Sequence, residues 1–243
     1  MKTNNRSYLF AVLAVLLMAF AVIPGGAETV YAEGFSKDAA SQEEETVREA
    51  AKGAVDSGTC GENVTWTLDE NGTLTISGTG EMEDYKQSSY PFMYDDIKTV
   101  IIKNGVTSIG DWVFIYCRSM TRVEIPESVT SIGWQAFEDC SSLKSIEIPK
   151  GVTSIGNYAF YLSSLESITL SEELTSIASH MCTNCSSLKN VTIPKGVTII
   201  DWQAFENCSS LTKITLPDTL VVIRNYLPRR YTHGRNFYAV CLI

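Results

Sequence analysis

From Leu143 onward, apolar and polar positions run Leu-x-x-Ile-x-Ile-Pro-x-x-Val-x-x-Ile-Gly, and the same order recurs along the chain. Val106, Val129 and Val152 open three copies of "VTSIG" spaced 23 residues apart, and looser copies begin at Leu174, Val197 and Leu220 after 22, 23 and 23 residues. In each unit two apolar residues alternate with polar ones: Val123/Ile125, Ile146/Ile148, Ile168/Leu170, Val191/Ile193 and Ile214/Leu216. That period of two predicts a short strand with one buried face. Pro126, Pro149, Pro194 and Pro217 close the strand, since proline brings no N–H to a ladder, and Ser171 takes that place in one unit. The "xxAFxx" stretch predicts a single helical or 3₁₀ turn that drops Phe114, Phe137, Phe160 or Phe205 into the interior. One such unit cannot bury its apolar stripe alone. Stacked units can, with their strands in a parallel ladder spaced about 4.8 Å apart.

The predicted architecture is a solenoid: repeats of 22–23 residues over 97–227, with strands on one face and short turns on the other. Ahead of them, in "VTWTLDENGTLTISG", Val64, Trp66 and Leu68 alternate, as do Leu74 and Ile76, with Asn71-Gly72 at the turn. This predicts a β-hairpin within a cap over 58–96, laid on the first repeat to cover the open sheet edge. "SGTCGENVTWTLDENGTLTISGTGEMEDY" followed by repeated "IPxxVTSIGxxAFxxCSSL" resembles the BspA-like leucine-rich repeat proteins, over Ser57 to about Ile223. The resemblance implies an exported or surface protein, mainly bacterial, with a binding or adhesion role. It brings no shared catalytic residues.

The ends of the chain add to this. Lys2 and Arg6 precede the apolar run Tyr8 to Ile23, and small residues end at Ala27 and at Ala32. This is the pattern of a secretory signal over 1–32, with cleavage after Ala32 preferred, and the 16-residue run is short for a membrane span. Membrane contact is therefore expected only through that segment, if it is retained. Residues 33–57 are polar and Ala/Glu-rich, which suits a flexible acidic leader. Residues 228–243 are basic and aromatic and carry no repeat pattern. They read as a degenerate end or as the point where an array has been cut short. The formal charge of -9, with no basic stripe, argues against nucleic acid as a partner.

Candidate chemistry is sparse. "HMCTNC", His180 to Cys185, has the Cys-x-x-C spacing of a zinc or redox site. The repeat explains it otherwise: Cys182 stands in the phenylalanine slot, and Cys185 shares a slot with Cys117, Cys140 and Cys208. That slot suits buried, reduced thiols. His180 falls in a variable slot expected at the surface. The outward strand positions are Arg122/Glu124, Ser145/Glu147, Ser167/Thr169, Asn190/Thr192 and Lys213/Thr215. Glu124 and Glu147, about 5 Å apart on neighbouring strands, have the spacing of a retaining glycosidase pair, but no cleft or sugar-stacking aromatic accompanies them. Trp112, Trp134, Tyr158 and Trp202 lie just before the phenylalanine slot, either as interaction hot spots or as rings covering neighbouring turns.

These readings lead to an expected non-catalytic, secreted or cell-surface binding protein without metal or cofactor. Its partner would be a host or matrix protein or a cell-surface glycan, met on the strand face and the aromatic row. The alternative is a structural cell-envelope spacer, or the remnant of a longer array, with no ligand of its own.

Overall fold

The computed structural model describes residues 54–86, 89–92 and 96–224. The expected signal segment, residues 33–53 of the expected leader, the tail and the last residues of the 97–227 array lie outside the described residues. β1 (Ala54–Gly61), β2 (Val64–Asp69) and β3 (Thr73–Gly78) form an antiparallel meander. Its β2–β3 turn is held by the Asp69 carboxylate, which accepts N–H bonds from Asn71 at 2.9 Å and Thr73 at 2.8 Å, and Gly72 adopts φ 82°. The cap thus contains the expected hairpin, but it also recruits Ala54–Ser57 from the stretch read as leader. Those residues carry no apolar alternation, and only pairing with β2 makes them a strand.

Two strands follow per unit. After β4 (Gly80–Glu81), the pairs are β5 (Thr99–Ile102) and β6 (Val106–Ile109), β7 (Arg122–Glu124) and β8 (Ser131–Ile132), and β9 (Ser145–Glu147) and β10 (Ser154–Ile155). Then come β11 (Ser167–Thr169) and β12 (Ser176–Ile177), β13 (Asn190–Thr192) and β14 (Ile199–Ile200), and β15 (Lys213–Thr215) and β16 (Val222–Ile223). The first ladder runs β3-β5-β7 and, after a break in pairing, β9-β11-β13-β15, all parallel. The second runs β4-β6-β8-β10 and then β12-β14-β16. Register sets each slot over its equivalent, Ile109 over Ile132 over Ile155 and Ile146 over Ile168. The hairpin edge pairs with β5, so the cap supplies the first rung.

The turn face corrects the expectation of a helical or 3₁₀ turn. Two residues in each unit, flanking the phenylalanine slot, have positive φ: Trp112/Tyr116, Gln135/Asp139, Tyr158/Leu162, His180/Asn184 and Gln203/Asn207. This backbone turns alternate N–H groups toward the next unit. Trp112, Phe114 and Tyr116 donate to the carbonyls of Trp134, Ala136 and Glu138 at 2.9, 3.0 and 2.9 Å, and the later units repeat the scheme. The turns are therefore a third ladder. Each left-handed non-glycine residue costs about 1–2 kcal/mol, which the interunit bonds offset. A helical turn would direct its N–H groups along its own axis and leave the neighbouring unit's carbonyls unpaired.

Inside, the rings form a spine. Phe92, Phe114, Phe137 and Phe160 stack with centroids 5.3–5.7 Å apart, and Trp66 of the cap packs edge-on against Phe92 at 5.4 Å. Phe92 supplies the ring of the unit before the first "VTSIG". Beside the spine runs a row of thiols that donate to carbonyls of the preceding unit: Cys117 to Phe92, Cys140 to Phe114, Cys185 to Phe160 and Cys208 to Cys182, at 3.0–3.5 Å. Where one unit lacks the cysteine, Ser163 takes the place, donating to Phe160 at 2.7 Å and lying 3.3 Å from the Cys185 sulfur. The described cysteines are all free and buried.

At the spine's gap, Cys182 and Met181 are both fully buried. Bulk has moved from the phenylalanine slot to the neighbouring slot, held by Ala136, Ala159 and Ala204 in other units. Cys182→Phe alone should therefore overpack and cost about 1–3 kcal/mol. Met181→Ala alone should cost about 2–5 kcal/mol through the cavity it leaves. The double variant should regain stability relative to either, as read from urea unfolding midpoints. Burial also pushes the Cys60 and Cys117 thiols up from 9.0 to about 12. A thiol that ionises less readily folded than unfolded contributes stability below pH 9, and that contribution is lost as pH rises toward 12. The thermal midpoint should fall steadily above pH 9, and Cys117→Ala should show a shallower fall.

Candidate binding surface

Parallel pairing sets the outward strand residues in two rows. Ser145 lies beside Ser167, Ser167 beside Asn190 and Asn190 beside Lys213, while Glu147 lies beside Thr169 and Thr192 beside Thr215. All ten residues expected on this face, Arg122 and Glu124 included, are exposed. Their buried neighbours Ile146, Ile168 and Val191 hold the rows in place from beneath. Arg122 and Glu124 form an ion pair at 2.8 Å, so Glu124 is already neutralised by its own strand. The interruption of the ladder between β7 and β9 leaves Glu124 and Glu147 on strands that are not hydrogen-bonded to each other. Beside the rows, Lys189 bridges to Glu166 of the preceding unit at 2.6 Å and holds that carboxyl below its ordinary range.

The aromatic positions do not behave alike. Tyr90, Trp112, Trp134, Tyr158 and His180 make a continuous chain of ring contacts at 4.4–6.5 Å, with Tyr116 and Tyr161 attached at its sides. Trp112 is half-buried, and its indole N–H donates to Gln135 at 2.6 Å, so its ring mainly covers the turns. Trp134 remains 39% exposed and Trp202 45% exposed. Trp202 makes no ring contact among the described residues. His180 is not the surface residue that its variable slot predicts: its ring stacks on Tyr158 at 4.4 Å and is half-buried.

The Cys-x-x-C pair is turned inward. Cys182 and Cys185 are both buried, and the neighbouring Cys185 thiol together with burial pushes the Cys182 thiol up. Among the described residues no three His, Cys, Asp or Glu side chains are placed to hold one metal ion.

The second ladder carries a groove that is not expected from the sequence. A depression of about 580 Å³ crosses β4, β6, β8 and β10, and its lining includes Asp84, Asp111, Trp134, Asn157, Ser131 and Ser154. Its acidic and amide side chains cap the next rung: Asp84 accepts the N–H of Asp111 at 2.8 Å, Asp111 that of Trp134 at 2.6 Å and Asn157 that of Ser179 at 3.1 Å. Gly110 and Gly133 let the rungs close, for a Cβ on them would lie 2.1 Å and 2.5 Å from backbone atoms of the previous unit. The signal was the residue after "VTSIG", which is Asp, Trp or Asn in the three close copies.

The repeat pattern matches the model of the BspA type leucine rich repeat region, in six copies, over residues 86–211 and 180–230. No curated protein matches the chain. Among solved structures it is similar to a leucine-rich repeat protein from Eubacterium ventriosum, at 25% identity and TM-score 0.49, covering 70% of this chain and 62% of that one. A leucine-rich repeat protein from Bacteroides ovatus matches at 22% identity and TM-score 0.43, over 67% of this chain and 54% of that one. A leucine rich cell surface protein from Faecalibacterium prausnitzii matches at 17% identity and TM-score 0.36, over 70% and 90% of the two chains. The chain thus spans less than two thirds of the length of the first two. With the family pattern running through most of the rungs described above, the chain belongs to the BspA-type leucine-rich repeat family.

Proposed function

We propose that this is an exported, non-catalytic binding protein of the cell surface, which adheres to a host, matrix or cell-surface protein, or to a surface glycan, through the outward face of its first ladder. The observation that supports this reading is the pair of exposed polar rows on β9 to β15, held at one-rung spacing by in-register pairing over buried aliphatic residues such as Ile146, Ile168 and Val191. Regular spacing on a stiff face lets many weak contacts act together, because little side-chain and backbone order has to be created on binding. The polar character of the rows suits a reversible contact rather than a permanent interface. The signal-like N-terminus supports export.

Capture on the immobilised full chain tests the reading, with purified extracellular-matrix proteins and cell-surface fractions as probes. Saturable binding is expected, and a Glu147→Lys/Thr169→Lys/Thr192→Lys variant with an unchanged melting curve should bind about ten-fold more weakly or worse. Absence of saturable binding, or full binding by the variant, would falsify the proposal.

A further inference from the structure

The groove over the second ladder has a character that the strand face lacks. Its lining holds three carboxylates, Glu81, Asp84 and Asp111, and no Lys or Arg. It also holds Trp134, which is 39% exposed while its neighbours in the aromatic chain are half-buried. The two aspartates are fixed in orientation, each through one oxygen bonded to the next rung's backbone. Among the described residues their second oxygens take no hydrogen bond. The polar lining does not suit an apolar guest, and the uniform negative charge repels an anionic one. Fixed carboxylates beside an accessible indole suit a guest with several cationic side chains: charge-assisted hydrogen bonds at the aspartates and a cation over the ring face. The groove runs across four rungs, from the cap to β10, so its guest is elongated.

We propose that this groove receives an extended lysine- or arginine-bearing peptide segment of a partner protein, with one cationic side chain over Trp134 and others at Asp84 and Asp111. This rests on the binding-protein reading and names a class of partner for it, at a site separate from the strand face. The test uses the full chain and three probes: a short peptide of alternating lysine and serine, its glutamate-for-lysine counterpart, and a neutral β-linked glucan oligomer. The lysine peptide should bind, with affinity falling as salt rises, and the other two should not. Asp84→Asn/Asp111→Asn keeps the oxygen that accepts each backbone N–H, and should weaken the lysine peptide about ten-fold. Trp134→Ala should weaken it about three- to ten-fold. Equal binding of the glutamate peptide, preference for the glucan, salt-independent binding, or no loss in a folded Asp84→Asn/Asp111→Asn variant overturns the proposal. Should either variant fail to fold, probe selectivity and salt dependence of the unmodified chain decide the matter. Partner capture lost in the strand-face variant but kept in Asp84→Asn/Asp111→Asn leaves the adhesion reading standing and removes this one.

Discussion

Everything in this molecule depends on a backbone that no unit can satisfy by itself. A single repeat is too short to bury its ring, and its strands are too short to pair internally. Beyond the local turn bonds within a unit, the N–H and C=O groups of its strands and of its left-handed turns reach partners in the units before and after it. Three ladders do this at once: the strands of β3 to β15, the shorter strands of β4 to β16, and the left-handed turns that alternate around each ring. Stability is then a sum of neighbouring interfaces rather than the property of one closed core.

That constraint decides what each slot can hold. Gly110 and Gly133 sit where a Cβ would meet the previous unit's backbone. The thiol slot accepts a small donor: the cysteines bond a carbonyl one unit back, whereas Ser163 bonds Phe160 of its own unit and stays in the row beside the Cys185 sulfur. The phenylalanine slot tolerates Cys182 because Met181 moves bulk into the adjacent position and the site remains sealed. The same spacing organises the outside. Side chains that leave the ladders emerge at one-rung intervals, which makes polar rows on one face and an acidic groove with an exposed indole on another.

Much of the fold was legible because the repeat reports itself. The alternation of Ile146/Ile148 and its equivalents marks the strands, and Asn71-Gly72 marks the hairpin. Repeat position alone marks Cys182 as the occupant of a phenylalanine slot and Cys185 as a member of the thiol row. The exposed strand residues followed from a period of two. The groove was not legible. Asp111, Trp134 and Asn157 share the slot after "VTSIG" but differ in chemistry, and Asp84 lies 27 residues before Asp111, ahead of the first "VTSIG" copy. His180 misled for a related reason, because its stacking partner Tyr158 belongs to the unit before.

The amino-acid sequence alone determined the period, the buried slots and the polarity of each strand face, because these follow from local alternation repeated at a fixed interval. Only the tertiary structure decided the form of the turns, the extension of the cap into Ala54–Ser57 and the meeting of carboxylates with an exposed indole in one groove. The physical reason is the same in each case. A left-handed turn is costly in isolation and becomes favourable only when its N–H groups find the next unit's carbonyls. A strand without apolar alternation forms only against a partner already in place, and a groove exists only once successive rungs lie side by side.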